Sequence, residues 1–184
     1  MSKKSLIILA LIAVVLIGAV SGYNSLVSMN ENVNGKWSQI ETQLQRRADL
    51  IPNLVNTVKG FAAQERQIMQ DVTDARARLA GAQGPAAKGQ ANEELNGALS
   101  RLLVVVENYP NLKSDQNFRA LMDELAGTEN RVAVARRDYN EAVQTYNTRI
   151  RSFPTSLYAG IAGFGAKEYF QADAGAQQVP QVNF

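Results

Sequence analysis

Asp71 and Asp74 are the nearest this chain comes to a reacting pair, two carboxylates at adjacent turns of a predicted helix. Glycosidase-type acid and base work needs two acids facing each other across a cleft, whereas two acids along one helix more often form a solvated face. The remaining repertoire is limited by what is missing. No Cys and no His occurs among the 184 residues. Thiol nucleophiles, serine-type triads, imidazole-ligated zinc and the Glu-x-x-His di-metal centres of helical bundles therefore cannot be built. The seams hold no Glu-x-x-Glu repeat to replace them. The Gly cluster at 81–89 lacks the preceding strand and the Lys-Ser or Lys-Thr end of a phosphate loop. No catalytic, metal or cofactor-binding residue is expected, and no cofactor.

Polar residues at inward positions are the second oddity. Asn30, Arg47 and Glu65 interrupt an apolar repeat at places that repeat assigns to the interior, and Glu129 and Arg136 flank a later seam. A buried charge is costly unless paired, so these five are expected to form a polar network that fixes helix register. A ligand or partner site is the alternative.

The elements that position them are helices. Leu26, Val33, Trp37, Ile40, Leu44 and Ile51 follow the alternating steps of a coiled-coil-like stripe, which continues through Leu54, Val58, Phe61, Ile68, Val72, Ala75 and Leu79. Pro52 either opens a new helix capped by Asp49 or kinks one long helix; the new helix is preferred, because a bundle needs helices of comparable length. Residues 81–92, with their Gly, Pro and small residues, read as a mobile loop. A shorter amphipathic helix follows, Leu95 to Val106, ending at Tyr109-Pro110. Ser114 is the expected N-cap of the last helix. There Phe118, Leu125, Val132, Tyr139 and Tyr146 repeat every seven residues. The expected core is Trp37, Leu44, Phe61, Phe118, Leu125, Val132, Tyr139 and Tyr146. The fold class is all-α: an N-terminal transmembrane helix, then an antiparallel up-and-down four-helix bundle with long coiled-coil-like helices.

The transmembrane helix is read from Leu6 to Val20, an uninterrupted apolar run whose anchor residues include Leu6, Ile12, Val15, Leu16, Gly18, Gly22 and Tyr23. Lys3 and Lys4 precede it, which places the domain outside the cytoplasm. Ala19-Val20-Ser21 also satisfies the small-x-small rule of a cleaved signal, but the run is longer than most signal cores and Tyr23 suits a membrane boundary. Gly18 and Gly22 make a small-xxx-small pair through which anchors could pack. Three domains follow: 1–23 anchor, 24–153 bundle, 154–184 Gly/aromatic cap and loose tail. Within the last, Phe153, Pro154, Tyr158, Phe164 and Phe170 either tuck, with Leu157, against the bundle end or touch the membrane interface. The net charge of +2 and the absence of a basic face exclude nucleic acid as a partner.

Two long stretches, YNSLVSMNENVNGKWSQIETQLQRRADLIPNLVNTVKG at 23–60 and GTENRVAVARRDYNEAVQTYNTRIRSFP at 127–154, resemble the LemA family, with GFGAKEYF in the expected place after them. The resemblance implies a bacterial membrane protein with one N-terminal transmembrane helix and an up-and-down helical domain. It also implies relatives linked to the cell envelope and, in one branch, to magnetosome biogenesis. It supplies no activity. Gln64 stands where family members often carry His. The expected function is a non-catalytic scaffold or adaptor of the cytoplasmic membrane, with the lipid bilayer, further copies of itself and an envelope protein as partners. The alternative is an accessory subunit regulating an envelope enzyme such as a membrane protease.

Overall fold

The computed structural model describes residues 3–171, apart from the side chains of Lys4, Ile8, Leu9 and Val15. The side chain of Val15 and the tail Ala172–Phe184 thus lie outside the described residues. Five α-helices follow one another: α1 (Lys3–Phe61), α2 (Arg66–Gly81), α3 (Gly84–Val106), α4 (Pro110–Ser114) and α5 (Gln116–Arg151). A 3-10 turn at Thr155–Leu157 comes last, and no strand occurs among the described residues.

The new helix expected at Pro52 does not form, because α1 runs from Lys3 to Phe61 with Pro52 inside it. A proline in this position has no N–H for the carbonyl four residues back, which here belongs to Ala48. Arg76 on α2 fills the gap: its Nε donates to the Ala48 carbonyl oxygen at 2.8 Å. A side chain from the neighbouring helix thus supplies the bond that the backbone lost. Arg76→Leu should lower stability by about 1–2 kcal/mol by leaving that carbonyl unsatisfied. The loss should shrink in a Pro52→Ala background, where a backbone N–H at position 52 is restored. Urea unfolding of the four full-length proteins in detergent measures this, and an equal loss in both backgrounds would refute it.

The loop expected at 81–92 is also corrected. Only Ala82 and Gln83 separate α2 from α3. Pro85 lies in the first turn of α3, where a missing N–H has no intrahelical partner to lose. Gly89 is packed closely: a Cβ there would stand 3.2 Å from the Gln171 carbonyl oxygen and 3.5 Å from the Phe170 ring. The small residues serve close approach, not mobility. At the start of α5 the cap is Asp115, not Ser114: its Oδ1 accepts the Phe118 N–H at 2.8 Å, satisfying one of the free donors of the first turn.

The chain forms two compact units, each including parts of α1 and α5. One holds residues 37–137 and 169–171. In it α1 and α5 run antiparallel, as the Gln43–Arg131 (3.2 Å) and Arg46–Glu124 (2.8 Å) pairs require. So do α2 and α3, through Arg78–Glu94 (2.5 Å) and Asp71–Arg101 (3.9 Å). Leu44, Leu54, Leu79, Leu95, Leu102, Phe118, Leu125 and Val132 are buried here. Trp37 is half-buried, its ring centroid 6.2 Å from that of Phe170. Phe61, expected in the core, is instead 43% exposed, because α1 ends there and Ala62 takes the inward position.

The other unit holds residues 3–36 and 138–168. Leu26, Val33, Tyr139, Val143 and Tyr146 are buried in it. Asn147 grips the backbone of the returning segment on both sides, donating to the Lys167 carbonyl at 2.9 Å and accepting its N–H at 2.8 Å. The Tyr139 hydroxyl donates to the Glu168 carbonyl at 2.8 Å, and burial raises its pKa above the usual tyrosine value.

Candidate functional site

Leu6, Ile12 and Leu16 stand exposed along the apolar stretch of α1, as do Ile7, Leu11, Val14, Ile17 and Val20. A helix long and apolar enough to cross a membrane is therefore left uncovered by the rest of its unit. Gly18 has open space around it, but Gly22 does not. The hydroxyl of Tyr158 lies directly against the Gly22 backbone, where a Cβ would overlap it. The pair Gly18 and Gly22 is thus not one open face; the second member is covered by the chain's own tyrosine.

The polar residues do not form one network. Arg47 is buried, and burial lowers its pKa while Glu129 works in the other direction. Its Nη1 donates to Asn92 Oδ1 at 2.7 Å and also to Glu129, and its Nη2 donates to Asn96. Three helices, α1, α3 and α5, meet at this one guanidinium. Asn30 instead bonds its neighbour Glu31 at the surface, at 3.4 Å. Glu65 lies at the turn between α1 and α2, where it accepts the Tyr109 hydroxyl at 2.7 Å, while Gln64 donates to that hydroxyl at 2.7 Å. The bond to Glu65 raises the Tyr109 pKa. Arg136 is half-buried on α5 and belongs to neither group. Asn92 and Asn96 enter the cluster because 84–92 is helical, which puts them one turn apart on α3 and facing Arg47.

Asp71 and Asp74 each take a hydrogen bond from a glutamine one turn back, Gln67 at 2.9 Å and Gln70 at 2.8 Å. This is the bonding of a solvated helix face. No group of three or more acids, His or Cys able to hold a metal occurs among the described residues.

In the aromatic segment Tyr158 and Phe164 are half-buried and Phe170 buried, whereas Phe153, Pro154 and Leu157 are exposed. Tucking of Leu157 is thus corrected. The Phe164 ring meets that of Tyr23 edge-on, with centroids 5.6 Å apart. A Schellman closure shapes the turn: the Phe164 N–H reaches the Ala159 carbonyl at 2.9 Å and the Gly163 N–H that of Gly160 at 3.2 Å. Gly163, at φ 82°, occupies the left-handed position this closure demands.

Comparison with known proteins adds kinship. Magnetosome protein MamQ 2 and Magnetosome protein MamQ 1 of Paramagnetospirillum magneticum are each 35% identical over 81% of this chain. The chain spans 64% of the length of these curated relatives. Protein LemA of Metamycoplasma hominis is 21% identical over 85% of this chain and 74% of its own. None of these names states a reaction. A family model described as the LemA family matches residues 36–184. That match begins beyond the apolar run, so it reflects the helical domain and not mere hydrophobicity, and the chain belongs to the LemA family.

Proposed function

We propose that this protein is a non-catalytic scaffold or adaptor of the bacterial cell envelope, held in the cytoplasmic membrane by the apolar run Leu6 to Val20, with its helical domain outside the cytoplasm. It self-associates in the membrane plane, its anchors meeting at the open side of Gly18. The observation that carries the reading is the uncovered apolar stretch of α1, along which Leu6, Ile12, Leu16 and Val20 stand exposed. The core helix of a water-soluble domain would be covered by its neighbours, whereas lipid covers this one without further protein. The side chains in the domain support the non-catalytic part. Arg47, Glu129, Asn92 and Asn96 bond one another, and Glu65 bonds Tyr109, so these groups are engaged in holding helices together.

Sizing with light scattering on detergent-solubilised full-length protein tests the proposal. A defined homo-oligomer is expected, and a lone chain would overturn self-association. Cross-linking in native membranes that recovered one foreign protein in stoichiometric amount would favour regulation of an envelope enzyme over a self-associating scaffold. Protease added to intact spheroplasts should digest the domain, and digestion only after lysis would overturn the outward placement.

A further inference from the structure

Phe153, Leu157 and Ile161 recur every four residues in the segment after α5, and they are 80%, 67% and 91% exposed. Between them Thr155 and Ala159 are buried. After the 3-10 turn at Thr155–Leu157, backbone bonds from the Ala159 N–H to the Thr155 carbonyl and from the Ala162 N–H to the Tyr158 carbonyl, both 2.9 Å, give residues 155–162 a helical pitch. Leu157 and Ile161, one turn apart, therefore share one side, and Phe153 stands exposed just before the coil begins. Single exposed apolar side chains are ordinary; three such large ones in so short a segment call for a cover.

The inner side of the coil identifies that cover. Tyr158 rests on Gly22 and Phe164 on Tyr23, so the coil is fastened to α1 where the apolar run ends. From Ser5 to Gly22 a helix rises about 27 Å, close to the roughly 30 Å of a hydrocarbon core. Gly22 and Tyr23 thus mark the water-facing boundary of the bilayer, and the coil lies at their level. Charge agrees with position: residues 142–171 carry Arg149, Arg151 and Lys167 against the single acid Glu168. Cations beside an apolar face suit anionic headgroups.

We propose that residues 153–164 form a second membrane contact, an apolar foot lying in the headgroup zone of the same bilayer that holds α1. The proposal rests on the reading of α1 as a retained anchor. Phe153, Leu157 and Ile161 enter the boundary between headgroups and acyl chains, while Tyr158 and Phe164 couple the foot to the anchor. Attachment at two points fixes how this unit is turned about its helix, which a single flexible tether would leave free.

The absence of Cys allows a direct test. Full-length Val14→Cys, Leu157→Cys, Ile161→Cys and Glu141→Cys proteins, each labelled with bimane, are reconstituted into vesicles of phosphatidylcholine and phosphatidylglycerol. Quenching by nitroxide-labelled lipids is then compared with quenching by aqueous iodide. Probes at 157 and 161 should lose most of their emission to a shallow lipid label and be shielded from iodide. The probe at 141, on the exposed side of α5, should show the reverse, and the probe at 14 should respond to a deep acyl label. If 157 and 161 respond to iodide and not to lipid while 14 responds to lipid, the foot is refuted and the anchor stands. If 14 responds to iodide, both fall. If 157 and 161 are shielded from both quenchers, protein covers this face, and the lipid proposal is again overturned. Ile161 is nearly free of neighbours, so its substitution leaves the core untouched.

Discussion

Leu125→Asp should leave the helical domain unfolded at room temperature. Leu125 is 2% exposed at the centre of the α5 seam. The substitution removes a buried aliphatic side chain, worth about 2–5 kcal/mol with its cavity, and puts an unpaired carboxylate in its place, which costs several kcal/mol more. Domains of this size hold only about 5–15 kcal/mol in total, so the combined loss approaches the whole. Thermal unfolding followed by circular dichroism gives the result. A companion Leu125→Met, which conserves volume, should cost less than about 1.5 kcal/mol. Unchanged unfolding of the Asp variant would mean that the seam does not face the core.

The second large effect is expected at Arg47. Arg47→Met removes the donor shared by Asn92, Asn96 and Glu129 on two other helices. Breaking one side of a buried pair typically costs about 3–5 kcal/mol, because the remaining partner keeps its desolvation without compensation. The lower end applies here, since the Glu129 side chain is 39% exposed and water can reach it. A double variant, Arg47→Met with Glu129→Leu, should recover part of the loss, as replacing a buried pair by apolar groups often does. Denaturant unfolding of the parent, both single variants and the double variant separates the coupling from the cost of each side chain. No loss in Arg47→Met would show that the guanidinium does not hold α1, α3 and α5 in register.

Both effects depend on features of different legibility. The α5 seam could be read directly, because Phe118, Leu125, Val132, Tyr139 and Tyr146 keep one spacing for the length of the helix, and all five are buried. The apolar run of α1 was equally plain. Pro52 could not be read, since its cost depends on whether a donor from elsewhere reaches the Ala48 carbonyl, and that donor is Arg76 on another helix. The stretch 81–92 is ambiguous in sequence for a related reason. Gly and Ala are the residues of mobile loops and also of tight helix packing, and only a neighbour such as Phe170 beside Gly89 distinguishes the two.

The amino-acid sequence by itself determined an all-α chain, a lipid-length apolar helix at its start, kinship with the LemA family, and the lack of His and Cys that rules out imidazole and thiol chemistry. These follow from composition and local periodicity, which act along the chain. Tertiary structure alone decided that α1 continues through Pro52, that Arg47 finds Asn92 and Asn96 as well as Glu129, and that Tyr158 and Phe164 fasten the aromatic segment to Gly22 and Tyr23. Each rests on a contact between residues far apart in the chain, where the energy depends on a partner's position and not on the residue's own type.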